Sequence, residues 1–292
     1  MLARLAHDLL PQDEPIDLLN VAFENPRVLA AAKHHSIANS STAQDPDPYN
    51  QCPDRITGKT SHAELQQVCP GRTWRFVSIN IPYTETLQHR NRVISLMHPH
   101  NTEMDLSIAY ALYFAARGRG TVSDPTTNST HPYTTPARVL LSGLGADELF
   151  AGYTRHATAF ARRALPGLLA ELELDITRLG TRNLGRDDRV IAHWAKEARY
   201  PYLDDRFLVW ALARPVWEKC GFGQASVGDD DDSNNDGDEP RLEPGKKALR
   251  LLAWKTGMRG VAREKKRAIQ FGARTAKMQR GAVKGTQILA PS

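Results

Sequence analysis

The sequence is poor in cysteine, with three among 292 residues, and none of them forms a Cys-x-x-C pair or joins a His/Cys cluster. This scarcity argues against a disulfide framework and a zinc site of the usual spacing. The chain also has no apolar run of the roughly 20 residues that would span a membrane, and its N-terminus has no signal-peptide cleavage pattern. These absences predict a soluble, cytoplasmic protein without a membrane partner.

Acidic residues are outnumbered: 38 Lys and Arg against 33 Asp and Glu give a net charge of +5 and a pI of about 9.1. The excess comes largely from residues 241–280. Such a basic stretch fits a solvated helix face, a groove that handles polyphosphate, or nucleic acid. Nucleic acid is the least favoured partner, because no DNA-reading or RNA-reading motif and no aromatic residues at stacking spacing accompany the stretch. The sequence leaves the oligomeric state open.

Apolar runs alternate with helix-like stretches along the chain. Ile16–Phe23 is a largely apolar run of the kind that is buried on both faces of a sheet, and Trp74–Ile81 has the pattern of a second strand. Asp105 precedes one helical stretch and is expected to act as its N-cap, and Asp204 or Asp205 is expected to cap a later one. The pattern predicts an α/β fold in which a parallel sheet is flanked by helices.

Polar stretches interrupt this pattern. We predict flexible insertions at about 33–50, 119–136 and 221–240, one domain over 1–280, and a disordered tail over 281–292. The third insertion contains the acidic run Asp229–Asp232. We interpret this run as a solvated segment, because a carboxylate cage for a metal needs spaced ligands and a turn glycine.

The most informative segment is a glycine-rich turn. The apolar run Val139–Leu141 breaks into Ser142–Gly145, and a helix-like stretch follows that contains Asp147. Glycines in such a turn let backbone N–H groups come close to a phosphate. A tight structural turn explains the same glycines, and a helix-start carboxylate that bonds backbone N–H groups explains Asp147.

The turn resembles the Ser-Gly-Glu-Gly-Ser/Ala-Asp-Glu signature of the synthetase domain of the asparagine synthetase family, an ATP pyrophosphatase fold of the adenine nucleotide α-hydrolase type. Further blocks resemble that family in the same order along the chain: Asn20–Glu24, Met104–Ala109, Tyr200–Phe207, Lys247–Arg250 and Lys265–Gly272. The wording of Cys52–Gly58 and of Lys266–Arg274 is similar to one branch of the family, the asparagine synthetase domain-containing proteins.

The resemblance implies ATP-dependent amidation of aspartate, and thus asparagine biosynthesis, with ATP and Mg²⁺ as cofactors. ATP and aspartate would form β-aspartyl-AMP and pyrophosphate, and ammonia or glutamine-derived nitrogen would attack the acyl group. Phosphate oxygens then need backbone donors, a metal and a lysine, because charge builds up on the leaving pyrophosphate. The roles implied by resemblance are nucleotide binding by Val21, Ser142, Gly143 and Gly145, metal support by Asp147, catalysis by Lys266, and a substrate or structural role for Asp105 and Asp204.

Plainer roles stay open for these residues: Val21 fits a core position, and Lys266 fits a solvated helix face. Two departures from the family bear on activity. Leu144 stands where the signature has a glutamate that supports formation of the intermediate, and a leucine cannot accept a proton or orient an amine. The family's Ser-Gly-Gly-x-Asp-Ser pyrophosphate loop and its first strand are expected before Met1, and the glutaminase domain with its N-terminal cysteine is absent (position 2 is Leu2). Two hypotheses follow: a ligase, or a catalytically inactive remnant that serves as an interaction or regulatory module.

Overall fold

The structure is a computed structural model that describes residues 1–31, 47–124, 127, 129–224, 242–278 and 284–289. The predicted insertions at 33–50 and 221–240 lie largely outside these residues. The chain divides into two compact units, each built from three segments. The first unit comprises Met1–Leu9, Leu141–Leu179 and Tyr200–Lys266, and the second comprises Leu10–Leu140, Gly180–Arg199 and Arg267–Ser292. The single domain predicted over 1–280 stays a prediction.

Helices and strands alternate along the described residues. The strands are β1 (Ile16–Phe23), β2 (Trp74–Ile81), β3 (Arg119–Ser123), β4 (Thr130–Thr134), β5 (Val139–Leu141) and β6 (Glu197–Arg199). The helices are α1 (Leu2–Leu9), α2 (Pro53–Val68), α3 (Tyr83–Gln88), α4 (Arg90–Met97), α5 (Glu103–Arg117), α6 (Ala146–Leu149), α7 (Thr154–Leu179), α8 (Gly185–Ala192), α9 (Asp205–Ala213), α10 (Val216–Lys219), α11 (Lys247–Lys255), α12 (Arg259–Arg263) and α13 (Ile269–Gly272). Residues 26–31 are also helical, Gly180–Leu184 is a π-helical turn, and Pro201–Leu203 is a 3₁₀ turn. Among the described residues, none of these helices combines the length and the apolar character needed to cross a membrane.

The sheet of the second unit has the strand order β1-β2-β3-β4. Strands β1 and β2 have the predicted bounds, and they pair in parallel from Ile16 opposite Trp74 to Phe23 opposite Ile81. The pairs β2–β3 and β3–β4 are antiparallel. The α/β class is confirmed, and the expectation of a parallel sheet holds in part: this sheet is mixed, with one parallel pair.

The antiparallel part of the sheet corrects a second expectation. Residues 119–136, predicted as a flexible insertion, contain the hairpin β3–β4. The absence of a side chain at Gly120 lets the hairpin approach the Ser78 carbonyl, where a Cβ would collide with the oxygen. The hairpin is also tied to β1, because the hydroxyl groups of Tyr133 and Thr135 donate to Asp17 Oδ2 at 2.9 and 2.6 Å. These long-range bonds outweigh a polar composition that, read alone, is typical of a loop.

Helix α5 covers the sheet of the second unit with an apolar stripe. Phe114 packs edge-on against Phe23 of β1, with ring centroids 5.6 Å apart, and both side chains are fully buried. The helix ends at Gly118, whose φ of 68° is the left-handed conformation that glycine adopts at helix ends. Its start differs from the prediction: Thr102 is the N-cap, and the Thr102 hydroxyl accepts a hydrogen bond from the N–H of Asp105 at 3.2 Å. Asp105 therefore lies inside the first turn.

Part of the predicted disordered tail is paired with the segment that leads into α5. The N–H of Leu289 donates to the carbonyl of Asn101 at 2.7 Å, and the N–H of Glu103 donates to the carbonyl of Gln287 at 3.0 Å. Leu289 is buried. The described residues 284–289 are therefore bonded to the second unit, which a polar sequence at the end of a chain does not reveal.

The first unit is helical and packs around α6. Leu149 and Phe150 lie in a buried cluster with Tyr202 and Ala211. A neighbouring cluster, in which Leu168 and Leu172 of α7 meet Val216, extends this core. Helix α7 breaks at Arg163 and Ala164, shortly before Pro166, which cannot donate a backbone hydrogen bond. The short helix α6 is thereby fixed at the centre of the unit.

Candidate functional site

The signature turn lies between β5 and α6, and its two glycines are not equivalent. Gly145 has a φ of 96°, and a Cβ there would lie 2.5 Å from Cδ2 of Leu203. At Gly143 a Cβ would meet nothing within 4 Å. The fold itself therefore requires glycine at position 145, whereas position 143 opens to solvent.

The N–H groups of the turn are also not equivalent. The N–H of Leu144 donates to Ser142 Oγ at 3.2 Å, and the N–H of Gly145 donates to Glu148 Oε2 at 3.1 Å. Within the described part of the chain, the N–H of Gly143 has no hydrogen-bond partner, and Gly143 is exposed. A phosphate at this turn could therefore use the Gly143 N–H and the Ser142 hydroxyl, but the N–H of Gly145 is already satisfied.

Asp147, in the first turn of α6, is the centre of a charged cluster. Its Oδ1 lies 2.8 Å from Nζ of Lys246, and its Oδ2 lies 3.4 Å from Nζ of Lys266. Burial alone would raise the pKa of the Asp147 carboxyl, but the two ammonium groups outweigh burial and lower that pKa below its ordinary value. Gly152 makes room for the carboxylate, because a Cβ there would collide with Oδ1. We call Asp147, Lys246 and Lys266 the two-lysine cluster.

Glu148 and Tyr153 lie directly beside this cluster. The hydroxyl of Tyr153 donates to Glu148 Oε1 at 2.6 Å, and Glu148 is buried. Burial, and then the neighbouring Glu148 carboxylate, raise the pKa of Tyr153, so the phenol stays protonated. Nζ of Lys266 lies 5.0 Å from the centre of the Tyr153 ring, within the range of a cation–π contact.

A buried histidine is hydrogen-bonded to the main chain of Tyr153. His156 is fully buried, and its Nδ1 accepts a hydrogen bond from the N–H of Tyr153 at 3.2 Å. The proton of the imidazole is therefore on Nε2, which donates to Asp175 Oδ2 at 2.8 Å. Burial would raise the pKa of Asp175, but the hydrogen bonds from His156 and Arg155 keep that pKa below its usual value.

The structure brings together some of the predicted site residues and not others. Asp147 and Lys266 are in contact. Asp204 is the N-cap of α9, and its Oδ1 accepts from the N–H groups of Arg206 and Phe207 at 3.0 and 3.3 Å. The capping prediction for Asp204 is thus confirmed.

Two of the predicted site residues belong to the second unit. Val21 is a buried residue of β1, opposite Ile79 of β2. Asp105 accepts hydrogen bonds from Arg186 at 3.0 Å and from the Thr102 hydroxyl at 2.5 Å. Both residues have the structural roles that were left open beside the functional ones, and a nucleotide contact by Val21 stays a prediction.

Sequence reasoning missed three residues of the site: Lys246, Glu148 and Tyr153. Glu148 and Tyr153 lie within the signature segment, and a glutamate three residues after a helix-capping position is a known cap pattern. Lys246 directly precedes the Lys247–Arg250 block, but its left-handed φ of 58°, which turns the chain toward Asp147, has no clear signal in the sequence.

The described residues do not fit a metal site at Asp147. They contain no group of three or more His, Cys, Asp and Glu side chains that could hold a metal ion. Both oxygens of Asp147 face ammonium groups, and a divalent cation there would be repelled by Lys246 and Lys266. The metal role of Asp147 stays a prediction, and this arrangement of charges does not favour it.

Comparison with known proteins finds the same family that the signature turn resembles. The family model of asparagine synthase matches residues 134–170 and 163–225, a range that includes Ser142 and Asp147. The chain thus contains an asparagine synthase-type domain. The asparagine synthetase domain-containing protein 1 of Mus musculus is 39% identical over 96% of this chain, and that of Homo sapiens is 37% identical over 96%.

A more distant relative matches a shorter stretch. The putative asparagine synthetase [glutamine-hydrolyzing] 1 of Methanocaldococcus jannaschii is 42% identical over 27% of this chain and 15% of its own length. The chain is an asparagine synthetase-like domain, and it is similar to the asparagine synthetase domain-containing proteins over nearly all of its length. It spans 44% of the length of the mouse and human relatives.

Proposed function

We propose that this chain is the ATP-handling part of an asparagine synthetase-type ligase with an adenine nucleotide α-hydrolase fold. In that reaction the β-carboxylate of aspartate attacks the α-phosphorus of ATP and releases pyrophosphate. Ammonia then attacks the acyl carbon of β-aspartyl-AMP, which releases AMP and gives asparagine. The chain spans less than half the length of its relatives. The ligase activity, aspartate as the substrate and the source of nitrogen are therefore proposals.

One observation carries the proposal: two lysines converge on the carboxylate of Asp147, which directly follows the signature turn. An ammonium group has three N–H donors, so each lysine keeps donors after its contact with Asp147. The side chains of Lys246 and Lys266 are 24% and 23% exposed, which leaves these donors accessible. Phosphate oxygens are the acceptors that such donors bind most strongly.

Each member of the site has a role in binding the triphosphate. Lys246 and Lys266 would donate to phosphate oxygens and stabilise the charge that develops on pyrophosphate as it leaves. Asp147 would hold the two ammonium groups at fixed positions. Ser142 and Gly143 would add a hydroxyl and an N–H donor at the open side of the turn.

Leu144 limits what the turn can do after the nucleotide has bound. The family signature has a glutamate at this position, and a leucine supplies no carboxylate to a substrate amine or to an incoming ammonia. The proposal therefore concerns nucleotide binding first, and the formation of the amide bond second.

The first test is calorimetric titration of the chain with ATP in the presence of Mg²⁺. We expect binding by the unaltered chain and a weakening of about tenfold or more in Lys266→Met, which corresponds to about 1.4 kcal/mol. The matched control is Lys265→Met, which removes an exposed charge one residue away from the cluster. Absence of binding heat from the folded chain, or equal weakening in both variants, would overturn the proposal and leave the interaction-module hypothesis.

A further inference from the structure

Arg250 of α11 is buried, and its guanidinium donates hydrogen bonds to three main-chain carbonyls. Its Nε donates to the carbonyl of Gly245 at 2.9 Å, and its Nη1 donates to the carbonyls of Ala262 and Glu264 at 2.8 and 2.7 Å. Its Nη2 lies 3.5 Å from the half-exposed carboxylate of Glu243. The Arg250 side chain is 8% exposed, so the guanidinium has exchanged nearly all of its water for these contacts.

The three carbonyls belong to the two stretches that carry the lysines of the site. Gly245 directly precedes Lys246, and Glu264 lies two residues before Lys266. The two stretches are separate in the sequence, but the side chain of Arg250 binds the main chain of both. A displacement of the Arg250 guanidinium would therefore be passed to both ammonium groups.

The first of these stretches has little freedom to adjust by itself. Lys246 has a φ of 58°, and its N–H donates to the carbonyl of Phe150 at 2.8 Å. A Cβ at Gly245 would lie 3.0 Å from the carbonyl oxygen of Ala151. The main chain at 245–246 is thus held between the end of α6 and Arg250, and the lysine side chain starts from a fixed point.

The chemistry of the site requires arginine rather than lysine at position 250. A guanidinium presents five N–H donors in a rigid plane and can bind several carbonyls at once, whereas an ammonium on a flexible stem acts as a point charge. Lysine at this position would keep the positive charge but could not satisfy three carbonyls in the same directions. Charge and geometry can therefore be separated by one substitution.

We infer that Arg250 is a positioning residue that places Lys246 and Lys266 on Asp147 by holding the main chain before each of them. The arrangement predicts that Arg250 controls the two-lysine cluster without touching a substrate. The functional meaning of this arrangement rests on the proposed function, but the arrangement itself can be tested without a nucleotide.

The test is an NMR titration of the Asp147 carboxyl, assigned with Asp147→Asn, in the unaltered chain and in Arg250→Lys. In Arg250→Lys we expect the pKa of Asp147 to rise toward its ordinary value, because the ammonium groups move away while the charge at position 250 is kept. The control is Lys219→Met, which removes another buried cation of the first unit, one that donates to the carbonyl of Ala211 at 2.9 Å. Its loss should lower the melting temperature and leave the pKa of Asp147 unchanged.

The outcomes separate a positioning role from a purely stabilising one. An unchanged Asp147 pKa in folded Arg250→Lys would overturn the inference. If Arg250→Lys does not fold in buffer, the titration is repeated in trimethylamine N-oxide, which favours compact states. Failure to fold even there, where Lys219→Met folds, would also contradict the inference, because Arg250 would then support the unit rather than the cluster. A shifted pKa in a chain that binds no ATP would reject the proposed function alone.

Discussion

Asp147 and Asp105 each lie in the first turn of a helix and each contacts cations, but the two carboxylates are held in different ways. Asp105, in the second unit, is bound by the guanidinium of Arg186 and by the Thr102 hydroxyl, and its side chain is 10% exposed. Asp147, in the first unit, is bound by two lysines and is 22% exposed. Arg186 is itself only 4% exposed and also binds Asp187 at 2.8 Å.

These differences in burial and in partners distinguish a structural ion pair at Asp105 from a candidate binding site at Asp147. The buried guanidinium of Arg186 directs donors from all three of its nitrogens to the carboxylates of Asp105 and Asp187. Two half-buried ammonium groups on one carboxylate keep donors that reach solvent. The resemblance to the family alone had marked both aspartates as candidates, and only their partners distinguish them.

The largest effect should follow from breaking the buried ion pairs of Arg186 with Asp105 and Asp187. Arg186→Met removes the cation that binds the buried carboxylates of Asp105 and Asp187, and loss of one partner of a buried ion pair costs about 3–5 kcal/mol. We expect a decrease of that size in the free energy of unfolding, measured by urea denaturation at pH 7.

The exposed pair of Arg199 and Glu197 provides the control for this experiment. Both side chains are more than half exposed, at 64% and 56%. Arg199→Met should change stability by less than about 0.5 kcal/mol, since exposed pairs contribute little. If Arg186→Met were equally mild, the distinction between the structural pair and the site would fail.

A smaller effect is expected at the two-lysine cluster. Asp147→Asn removes the charge that two partly exposed ammonium groups share, and we expect a loss of about 1–2 kcal/mol at pH 7. The pKa of Asp147 is below its ordinary value of about 3.9, so its contribution is fully present above that value and is lost as the pH falls through the folded-state pKa. Urea denaturation of both proteins at pH 7 and near pH 3 measures this directly.

The pH dependence decides whether the charge is responsible. The stability difference between the unaltered chain and Asp147→Asn should shrink at the lower pH, because protonation of the carboxyl begins to remove the charge that the variant already lacks. A difference that stays constant between the two pH values would mean that the amide costs stability through packing. The lysines would then not hold the carboxylate as we describe.

Sequence patterns predicted the elements that depend on local apolar periodicity. Strands β1 and β2 have the predicted bounds. The hairpin β3–β4 was missed because its stability comes from partners far away in the chain, such as Asp17, and not from its own composition. Local pattern predicts an element well when its own apolar residues hold it in place, and poorly when side chains of other elements do.

The candidate site was predictable to the extent that it is continuous in sequence. The turn at Ser142–Gly145 and Asp147 could be read from one segment, and Lys266 came from a second block of the resemblance. Lys246 and Arg250 could not be found in this way, because their importance depends on a left-handed backbone and on carbonyls of two separate stretches. Such contacts exist only once the chain has folded.

The smallest effect concerns a third aspartate, which neither forms a buried pair nor lies in the site. Asp204 accepts two backbone N–H groups at the start of α9, so its contribution is that of an N-cap. Asp204→Ala should cost about 1 kcal/mol, whereas Asp204→Asn, which keeps an acceptor oxygen, should be nearly neutral. Urea denaturation of the two variants measures both values. If the asparagine variant is as costly as the alanine variant, the charge of Asp204 at the start of the helix, and not its hydrogen bonds, is what stabilises the fold.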